Sequence, residues 1–412
     1  MQPGEGRGKE LVCTDQGHPP ATGHRDTPFH SPPPSSPAHD LSPSENKLEE
    51  EEEEDEQTAT SLPEDALVEI LARVPYRSLC RFKCVSKPWL ALCSATDIRR
   101  RSPQTLSGFF HLDIAGHTLK FRNLSGRGPP MVDPSLRFLH ESYDRIQVEQ
   151  CCSSLLLCQC WNSSSEGNNC DYVVCNPATD KWTVLPLIVL PDQEDGQPYN
   201  LNQSVFLGFD TIAPSRFVVF VPVGRYGEES AEVAIYSSET GRWTSVQSEW
   251  GNNTVLVGNP ECVFLNGTMH LTTYDFSVAT VDTKGKIWRK IEIPRSPGYT
   301  IASIGHSQGR LCAWRIDDDH DCQLYVWVLE DYDSGKWTLK HTVNVLELFG
   351  RHCRKGTESY TMFAIHPECN LFFLTDGEEM TVSYDMDSQK VQVISTSKEF
   401  LYGLPYTPCF AE

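Results

Sequence analysis

The chain has 412 residues, of which 39% are hydrophobic and 22% are charged, as in an ordinary soluble globular protein. Its formal net charge is −21, and −13 remains once the eight consecutive acidic residues 49–56 are set aside, so the protein would repel a phosphate backbone. No run of about 18 apolar residues is present, and the first thirty residues contain no signal-peptide core. We therefore expect no nucleic-acid partner, no membrane insertion and a location in the nucleus, the cytoplasm or both.

The cysteines lie mainly inside apolar runs. Examples are "YVVC" and "SLLLC", where a thiol behaves as a small hydrophobic side chain. Because nothing directs the chain to an oxidising compartment, we expect the cysteines to be reduced.

Residues 1–60 are rich in Pro, Ser, Gly and acidic side chains and have almost no apolar clusters. Ordering such a segment would cost conformational entropy with no burial to offset it. The composition predicts a disordered tail, in which the acidic run serves as a solvated segment.

The stretch 61–100 changes character and predicts short amphipathic helices. Leu67, Ile70, Leu71 and Val74 recur at the spacing of one helix face. Ser61 with Glu64 fits a capping box, Pro63 is tolerated in a first turn, and Pro75 ends the helix.

Two further short helices are predicted after Pro75, with Ser78 and Ser86 as N-caps. Their apolar residues are Leu79, Phe82 and Val85, then Trp89, Leu92 and Cys93. Together with Leu62 and Pro63, this inventory exceeds what three short helices can hide, which favours a docking surface for a partner. The alternative is an N-terminal cap packed on the following domain.

The region 105–412 predicts an all-β domain built from a repeated turn. Trp182, Trp243, Trp288 and Trp337 follow turns such as "NPATDKW" and "SETGRW" at separations of 61, 45 and 49 residues, and Val391 takes the Trp position in a last copy. Hairpins lie between the copies, one with Asn266-Gly267 as a type I′ turn.

A period near 50 residues with four antiparallel strands per unit is typical of a β-propeller. Five units begin near 150, 204, 261, 300 and 361, and a sixth would combine "LSGFFHLDIAGHTLKFRNLSG" with the C-terminal "FLYGLPYTPCF" and so close the ring. The alternative is a pair of β-sandwiches, which explains the strands but not the repeated turn. The predicted fold class is α+β multidomain: a disordered acidic tail (1–60), three helices (61–100) and a propeller of about six blades (105–412).

At this point two resemblances add to the residue patterns. "SLPEDALVEILARVPYRSLCRFKCVSKPWLALCS" resembles the F-box motif, which opens with Leu-Pro and carries an Arg-x-x-x-Val-x-Lys-x-Trp element, here Arg81, Val85, Lys87 and Trp89. The β region resembles the kelch-like, propeller-type F-box-associated domain of plant F-box proteins, through Leu155 to Cys158, Cys175 to Thr179, Trp182, Leu185-Pro186 and the later Phe264 to His270. One departure is Ser153-Ser154, where that family commonly has Asn-Gly, so the turn there is expected to be reshaped.

The F-box resemblance implies that the helices bind a Skp-type adaptor, and through it a cullin and a RING subunit. The chain would then be the non-catalytic substrate-recognition subunit of an SCF-type ubiquitin ligase. The implied adaptor-binding residues are Leu62, Pro63, Leu67, Ile70, Leu71, Val74, Pro75, Leu79, Phe82, Val85 and Trp89. A non-degradative scaffold and a propeller-type enzyme capped by the helical module remain as alternatives.

The residue patterns favour neither a metal site nor a catalytic site. Cys151, Cys152, Cys158 and Cys160 lack paired C-x-x-C spacing, and "DDDHD" (317–321) lacks the Gly and Glu of an EF-hand loop. Neither a G-x-S-x-G elbow nor a P-loop is present, and we expect His270, His306 and His366 to be core or rim histidines. No catalytic residue, metal or cofactor is predicted.

The target-binding surface is expected in the irregular loops between repeats, because the repeated Trp residues serve the shared scaffold. These loops are 189–200, 224–230, 248–253 and 348–360. The candidate contacts, chosen as exposed aromatic or basic loop residues, are Tyr226, Trp250, Arg351, Arg354, Lys355 and Tyr360.

Overall fold

The structure is a computed structural model. It describes residues 62–74, 76–102, 105–113, 118–124, 130, 132–162, 170–188, 205–209, 216–223, 232–251, 254–257, 262–294, 302–317, 322–353 and 359–409. The predicted disordered tail and the predicted cap Ser61 lie outside these residues.

The helical module contains four short helices, one more than predicted. They are α1 (Glu64–Leu71), α2 (Tyr76–Phe82), α3 (Lys87–Ser94) and α4 (Thr96–Arg101). The last one has a single apolar residue, Ile98, so it offers no periodic stripe that sequence reasoning could detect. None of the helices in the described part of the chain is long and apolar enough to cross a membrane.

The helix starts agree only partly with the predicted caps. Ser86 caps α3 as predicted, since its Oγ accepts a hydrogen bond from Trp89 N at 3.4 Å. The predicted cap at Ser78 is wrong, because Ser78 lies inside α2. Pro63 occupies the N-cap position of α1 rather than its first turn, and it makes no side-chain capping bond.

A small core holds the four helices together. Leu71, Leu79, Cys93 and Ile98 are almost fully buried, one from each helix. Ser102 Oγ, just after α4, donates a hydrogen bond to the carbonyl of Val74, just after α1. This bond connects the end of the fourth helix to the end of the first.

The β region is a six-bladed propeller whose blades are separate antiparallel sheets. Blades 1 and 2 are β3 (Arg145–Cys152), β4 (Leu155–Trp161), β5 (Asp171–Asn176), β6 (Lys181–Val184), and β7 (Phe206–Phe209), β8 (Phe217–Val223), β9 (Glu232–Ser237), β10 (Arg242–Gln247). Blades 3 and 4 are β11 (Cys262–Leu265), β12 (Thr268–Thr272), β13 (Ser277–Asp282), β14 (Trp288–Glu292), and β15 (Ser303–Ser307), β16 (Arg310–Asp317), β17 (Gln323–Asp331), β18 (Lys336–Asn344). Blade 5 is β19 (Thr361–Ile365), β20 (Leu371–Thr375), β21 (Thr381–Asp385) and β22 (Lys390–Ser395).

Blade 6 closes the ring by joining the two ends of the domain, as predicted. It is made of β2 (Leu119–Asn123), β1 (Gly108–Leu112) and the C-terminal β23 (Leu404–Tyr406), in that order. Strand β23 pairs antiparallel with β1, with Gly108 opposite Tyr406. Two short helices, α5 (Arg137–His140) and α6 (Val345–Leu348), lie in connections.

The cores of the propeller lie between blades. Each of six buried clusters draws its side chains from two neighbouring sheets, as between blades 4 and 5, where Trp314 and Val326 pack with Phe372 and Leu374. Every blade thus buries both faces against its neighbours. The β-sandwich alternative is wrong, because the sheets form a ring rather than face-to-face pairs.

The repeated turn before each outer strand needs a left-handed backbone. The residue at this position has positive φ in all five copies, and it is Asp180, Gly241, Gly285, Gly335 or Gln389. Gly, Asp and related polar residues tolerate this conformation best, which explains why such residues recur in the motif.

The hairpin turns between the first two strands of blades 1, 3 and 4 also contain residues with positive φ. Asn266 and Gly267 both have positive φ, which confirms the predicted type I′ turn. In blade 1 only Ser153 of the pair Ser153-Ser154 has positive φ, at 57°. The turn there is reshaped, as expected from the departure in sequence.

Candidate functional site

The helical module exposes a set of large apolar side chains around its small core. Leu62 is 59% exposed, Ile70 46%, Val85 63% and Leu90 49%. Pro63 is exposed as well. An apolar set of this kind on a module of about forty residues is typical of a protein interface.

Four half-buried apolar residues pack on the core of the module. Phe82 and Trp89 contact each other edge to face, with ring centroids 5.6 Å apart, and pack on the module's core together with Leu67 and Val74. These four residues are partly accessible, so they can contribute both to the core and to a contact surface.

Two residues predicted to contact a partner are buried inside the module. Leu71 and Leu79 are 1% and 0% exposed, so they form the core on which the exposed residues are mounted. The prediction that both are apolar interior-type positions is correct, but their side chains point into the module and not towards a partner. Pro75 lies outside the described residues.

Leu90 belongs to the exposed surface and was missed from the sequence. Its helix buries Cys93 and half-buries Trp89 and Leu92, which are spaced as one helix face, and Leu90 falls off that face. A leucine outside the buried stripe of a short helix is the signal that could have found it.

Charged residues of α1 and α4 contact each other. Glu69 of α1 accepts a hydrogen bond from Arg101 of α4 at 2.7 Å and lies 3.5 Å from Arg73. The hydrogen bond from Arg101, together with its charge, lowers the pKa of Glu69 below its ordinary value. The pair therefore connects the first and last helices of the module.

The predicted target-binding aromatics are not exposed. Trp250 is 5% exposed, donates its Nε1 hydrogen to Thr280 O at 2.8 Å and packs edge to face on Trp288. Tyr360 is 3% exposed and packs against Phe349. The expectation of exposure is wrong for both, because these connections turn their aromatic rings back into the cores between blades.

Arg351 is also held in a structural contact. Its guanidinium donates to Asp376 Oδ2 at 2.9 Å and to Tyr360 OH at 3.1 Å. Burial raises the pKa of Asp376, but hydrogen bonds from three backbone N–H groups and the charge of Arg351 outweigh it and hold the pKa below its ordinary value. The remaining candidates, Tyr226, Arg354 and Lys355, lie outside the described residues.

The repeated Trp residues pack towards the preceding blade. Trp243 of blade 2 donates its Nε1 hydrogen to Pro186 O of blade 1 at 2.7 Å, and Trp288 of blade 3 packs on Trp250. Trp182 lies 6.2 Å from Tyr143, and Trp337 packs in the cluster shared by blades 3 and 4. These contacts support the interpretation that they anchor one blade to the next.

The histidines considered for catalysis sit in structural contacts. His270 is fully buried, with Nδ1 3.1 Å from Val263 O and Nε2 3.0 Å from Tyr332 OH. Burial lowers the pKa of His270 to about 4, so the ring is neutral at pH 7. Burial likewise lowers the pKa of His306 and of His366.

The described cysteines are free thiols. Cys158 Sγ and Cys175 Sγ lie 4.0 Å apart, about twice the length of a disulfide bond. Among the described residues, no three His, Cys, Asp or Glu side chains are grouped so as to hold a metal ion.

Comparison with protein families matches both parts of the chain. Residues 60–101 match the F-box domain, and residues 137–396 match the F-box associated beta propeller domain. This chain is a plant F-box protein with an F-box-associated β-propeller domain.

Relatives of this F-box protein occur in Arabidopsis thaliana. An F-box protein is 26% identical over 68% of this chain and 70% of its own length, and a putative F-box/kelch-repeat protein is 26% identical over 84% and 86%. Another F-box protein is 24% identical over 76% and 88%. Among solved structures, a chain of a mitotic checkpoint complex matches with a TM-score of 0.33 and 10% identity over 61% of this chain and 69% of that chain, too low to indicate a shared function.

Proposed function

We propose that this F-box protein is the substrate-recognition subunit of an SCF-type ubiquitin ligase. The helical module would bind a Skp-type adaptor, and through it a cullin and a RING subunit, while the propeller would bind a target protein. We place the tail at 1–60, the F-box at 61–100 and the propeller at 105–412. The observation that carries the proposal is the exposed apolar set Leu62, Ile70, Val85 and Leu90 on a module that already has its own core.

The proposed adaptor surface is narrower than the one predicted from the sequence. It comprises the exposed residues Leu62, Pro63, Ile70, Val85 and Leu90 and the half-buried Leu67, Val74, Phe82 and Trp89. Fully burying one large apolar side chain contributes about 1.5–3 kcal/mol, so a few such contacts suffice for a stable complex.

In this role the protein contributes proximity rather than chemistry. Holding a target lysine near an activated ubiquitin raises its effective concentration, which accelerates transfer without a catalytic group in the scaffold. We therefore propose that the chain is a non-catalytic subunit of the ligase.

The test is binding of a purified Skp-type adaptor to the wild-type protein and to the double variant Leu62→Ala, Pro63→Ala, measured by calorimetry and by co-purification of the cullin. The variant should bind at least about tenfold more weakly, because it removes exposed apolar surface and leaves the buried core intact.

Leu187→Ala is the matched control, since Leu187 is 63% exposed but lies in the β domain. It should bind the adaptor as the wild type does. If the folded wild-type protein does not bind the adaptor, the proposed function is wrong.

A further inference from the structure

The two ends of the propeller differ, because neighbouring strands of a blade run in opposite directions. The first strands of the blades contact each other around the centre of the ring, as β3 does with β7 and with β23. We call the end at which these first strands begin the entry end. The connections between blades and the hairpins between second and third strands start and finish there, and the remaining hairpins lie at the opposite end.

The helical module is attached at the opposite end. Strand β1 is the second strand of blade 6, after β23, so it begins at the opposite end and finishes at the entry end. The five residues 103–107 separate Ser102, which follows α4, from Gly108 at the start of β1. Such a connection spans at most about 22 Å, so the entry end is the one more distant from the point where the module is attached.

Acidic side chains are concentrated at the entry end. The described residues between consecutive strands include eleven acidic and three basic side chains at this end, against five and three at the opposite end. The full sequence of the same connections keeps the difference, with 22 acidic and 8 basic residues against 6 and 3. A surface with this excess attracts a basic partner and speeds its association.

Exposed apolar side chains favour the same end. Outside the helical module and the outer strands, five large apolar side chains of the described residues are exposed. Leu112, Leu187, Tyr274 and Tyr402 lie at the entry end, and Ile287 lies at the opposite end. The entry end therefore combines acidic charge with apolar contact area, which is typical of a surface that binds another protein.

Two of these side chains come together at the seam where blade 6 meets blade 1. Leu112 is directly opposite Leu119 of β2, and the register of β1 with β23, continued by two residues, places Tyr402 on its other side. Leu112 is 44% exposed and Tyr402 is 70% exposed. Leu119 is half-buried and packs on the core shared by blades 6 and 1. We call Leu112, Leu119 and Tyr402 the seam patch.

The chain that leads into blade 1 adds apolar and acidic neighbours. Phe138 and Ile146 are half-buried on the same core as Leu119. Glu141 and Asp144, which lie between them in the sequence, are exposed. Apolar area with carboxylates beside it fits a segment in which an apolar side chain is flanked by Lys or Arg.

Two basic side chains of this region have other partners. The guanidinium of Arg145 lies over the ring of Trp161, 4.5 Å from its centroid, and Lys120 lies 3.6 Å from Glu399. Both cations are thus engaged, and the region keeps its acidic excess.

We propose that the seam patch binds a basic segment of a target protein, with an apolar side chain on Leu112 and Tyr402 and Lys or Arg side chains beside Glu141 and Asp144. The proposal rests on the proposed function, since it gives the chemistry of the target that the ligase subunit would select. An acidic segment would be repelled by the carboxylates at this end.

The probe is a fluorescein-labelled peptide of sequence Lys-Lys-Leu-Lys-Leu-Lys-Lys, and its binding to the full-length protein is measured by fluorescence anisotropy at several salt concentrations. The peptide should bind saturably and more weakly as the salt concentration rises. A peptide with Glu in place of Lys and one with Ser in place of Leu should each bind at least about tenfold more weakly, because each lacks one of the two complementary features.

Variants of the seam test its two features separately. The double variant Leu112→Ala, Tyr402→Ala should bind the basic peptide at least about tenfold more weakly, since it removes the apolar contact. The double variant Glu141→Gln, Asp144→Asn should bind about fivefold more weakly and with less dependence on salt. All four side chains are exposed, so both variants should unfold thermally as the wild type does.

Ile287→Ala is the matched control, because Ile287 is 57% exposed at the opposite end. It should bind the peptide as the wild type does. Absence of saturable binding to the wild type, or equal binding by the wild type and the Leu112→Ala, Tyr402→Ala variant, would overturn the proposal.

Adaptor binding separates this test from the proposed function. The Leu112→Ala, Tyr402→Ala variant should bind the Skp-type adaptor normally, so loss of peptide binding with adaptor binding intact concerns the seam patch alone. Failure of the wild type to bind the adaptor overturns the ligase role whatever the peptide does.

Discussion

At the scale of single residues, a basic loop side chain can be structural rather than part of a binding surface. The sequence places Arg351 in an irregular, locally basic connection, and that much is correct. It does not show that the connection folds back so that the guanidinium meets Asp376, which is separated from it by a whole hairpin. Whether a loop residue is exposed depends on such distant partners. For the same reason the predicted exposure of Trp250 and Tyr360 is wrong.

Reversing the charge of Arg351 should therefore destabilise the fold. Arg351→Glu leaves the fully buried carboxylate of Asp376 without its cation and places a second carboxylate beside it. Breaking a buried pair costs about 3–5 kcal/mol in free energy of unfolding, measurable by urea denaturation.

The comparison variant is Arg310→Glu, whose pair with Glu330 is solvent-exposed. It should change the free energy of unfolding by less than about 1 kcal/mol. Equal effects of the two reversals would contradict the structural role of Arg351.

At the scale of elements, turn chemistry and strand repeats were predictable, and the helix boundaries were less so. The Asn266-Gly267 turn and the repeated turn before each outer strand follow from residues that tolerate positive φ. The predicted cap at Ser78 is wrong because α2 already begins at Tyr76, and a serine inside a helix looks the same in sequence as one at its start. Helix α4 has one apolar residue and gives no pattern at all.

A single substitution in the turn at Ser153 should stabilise the protein. Ser153 has φ of 57°, a conformation that a side chain disfavours, while glycine adopts it freely. Ser153→Gly should raise the free energy of unfolding by about 0.5–1 kcal/mol, measured by urea denaturation.

Gly309 provides the reverse experiment. It has φ of 72° in the equivalent turn of blade 4, and an added Cβ there would meet nothing within 4 Å. Gly309→Ala should therefore lower the free energy of unfolding by about 1 kcal/mol, because the left-handed backbone conformation disfavours a side chain. If both substitutions act in the same direction, backbone conformation does not control these turns.

At the scale of the whole molecule, the ring depends on its last strand. Five repeats leave one strand-like segment at each end of the β region, and from these the sequence predicts a sixth blade that pairs the two ends. The sequence could not show how firmly the C-terminal strand is held. Tyr406 is fully buried and packs against Phe110 and Phe121. The next residue, Thr407, donates its N–H to Ser153 O of blade 1 at 3.0 Å.

Removing residues 404–412 should open the propeller. The deletion takes away one strand of blade 6 and the contact to blade 1, so thermal unfolding should lose cooperativity and its midpoint should fall by more than about 10 °C, measured by near-ultraviolet circular dichroism. Removing only residues 410–412 should leave the transition nearly unchanged. A sharp transition in the longer deletion would show that blade 6 closes without β23.

The pairing of Gly108 with Tyr406 also sets an order of events during synthesis. A ribosome adds about 5–20 residues per second, so roughly 15–60 s separate the first strand of blade 6 from the last. The F-box emerges before any blade, and its small core needs nothing from the propeller's final strand. During that interval a nascent chain already carries its adaptor handle, while the domain proposed to select targets still has an open seam.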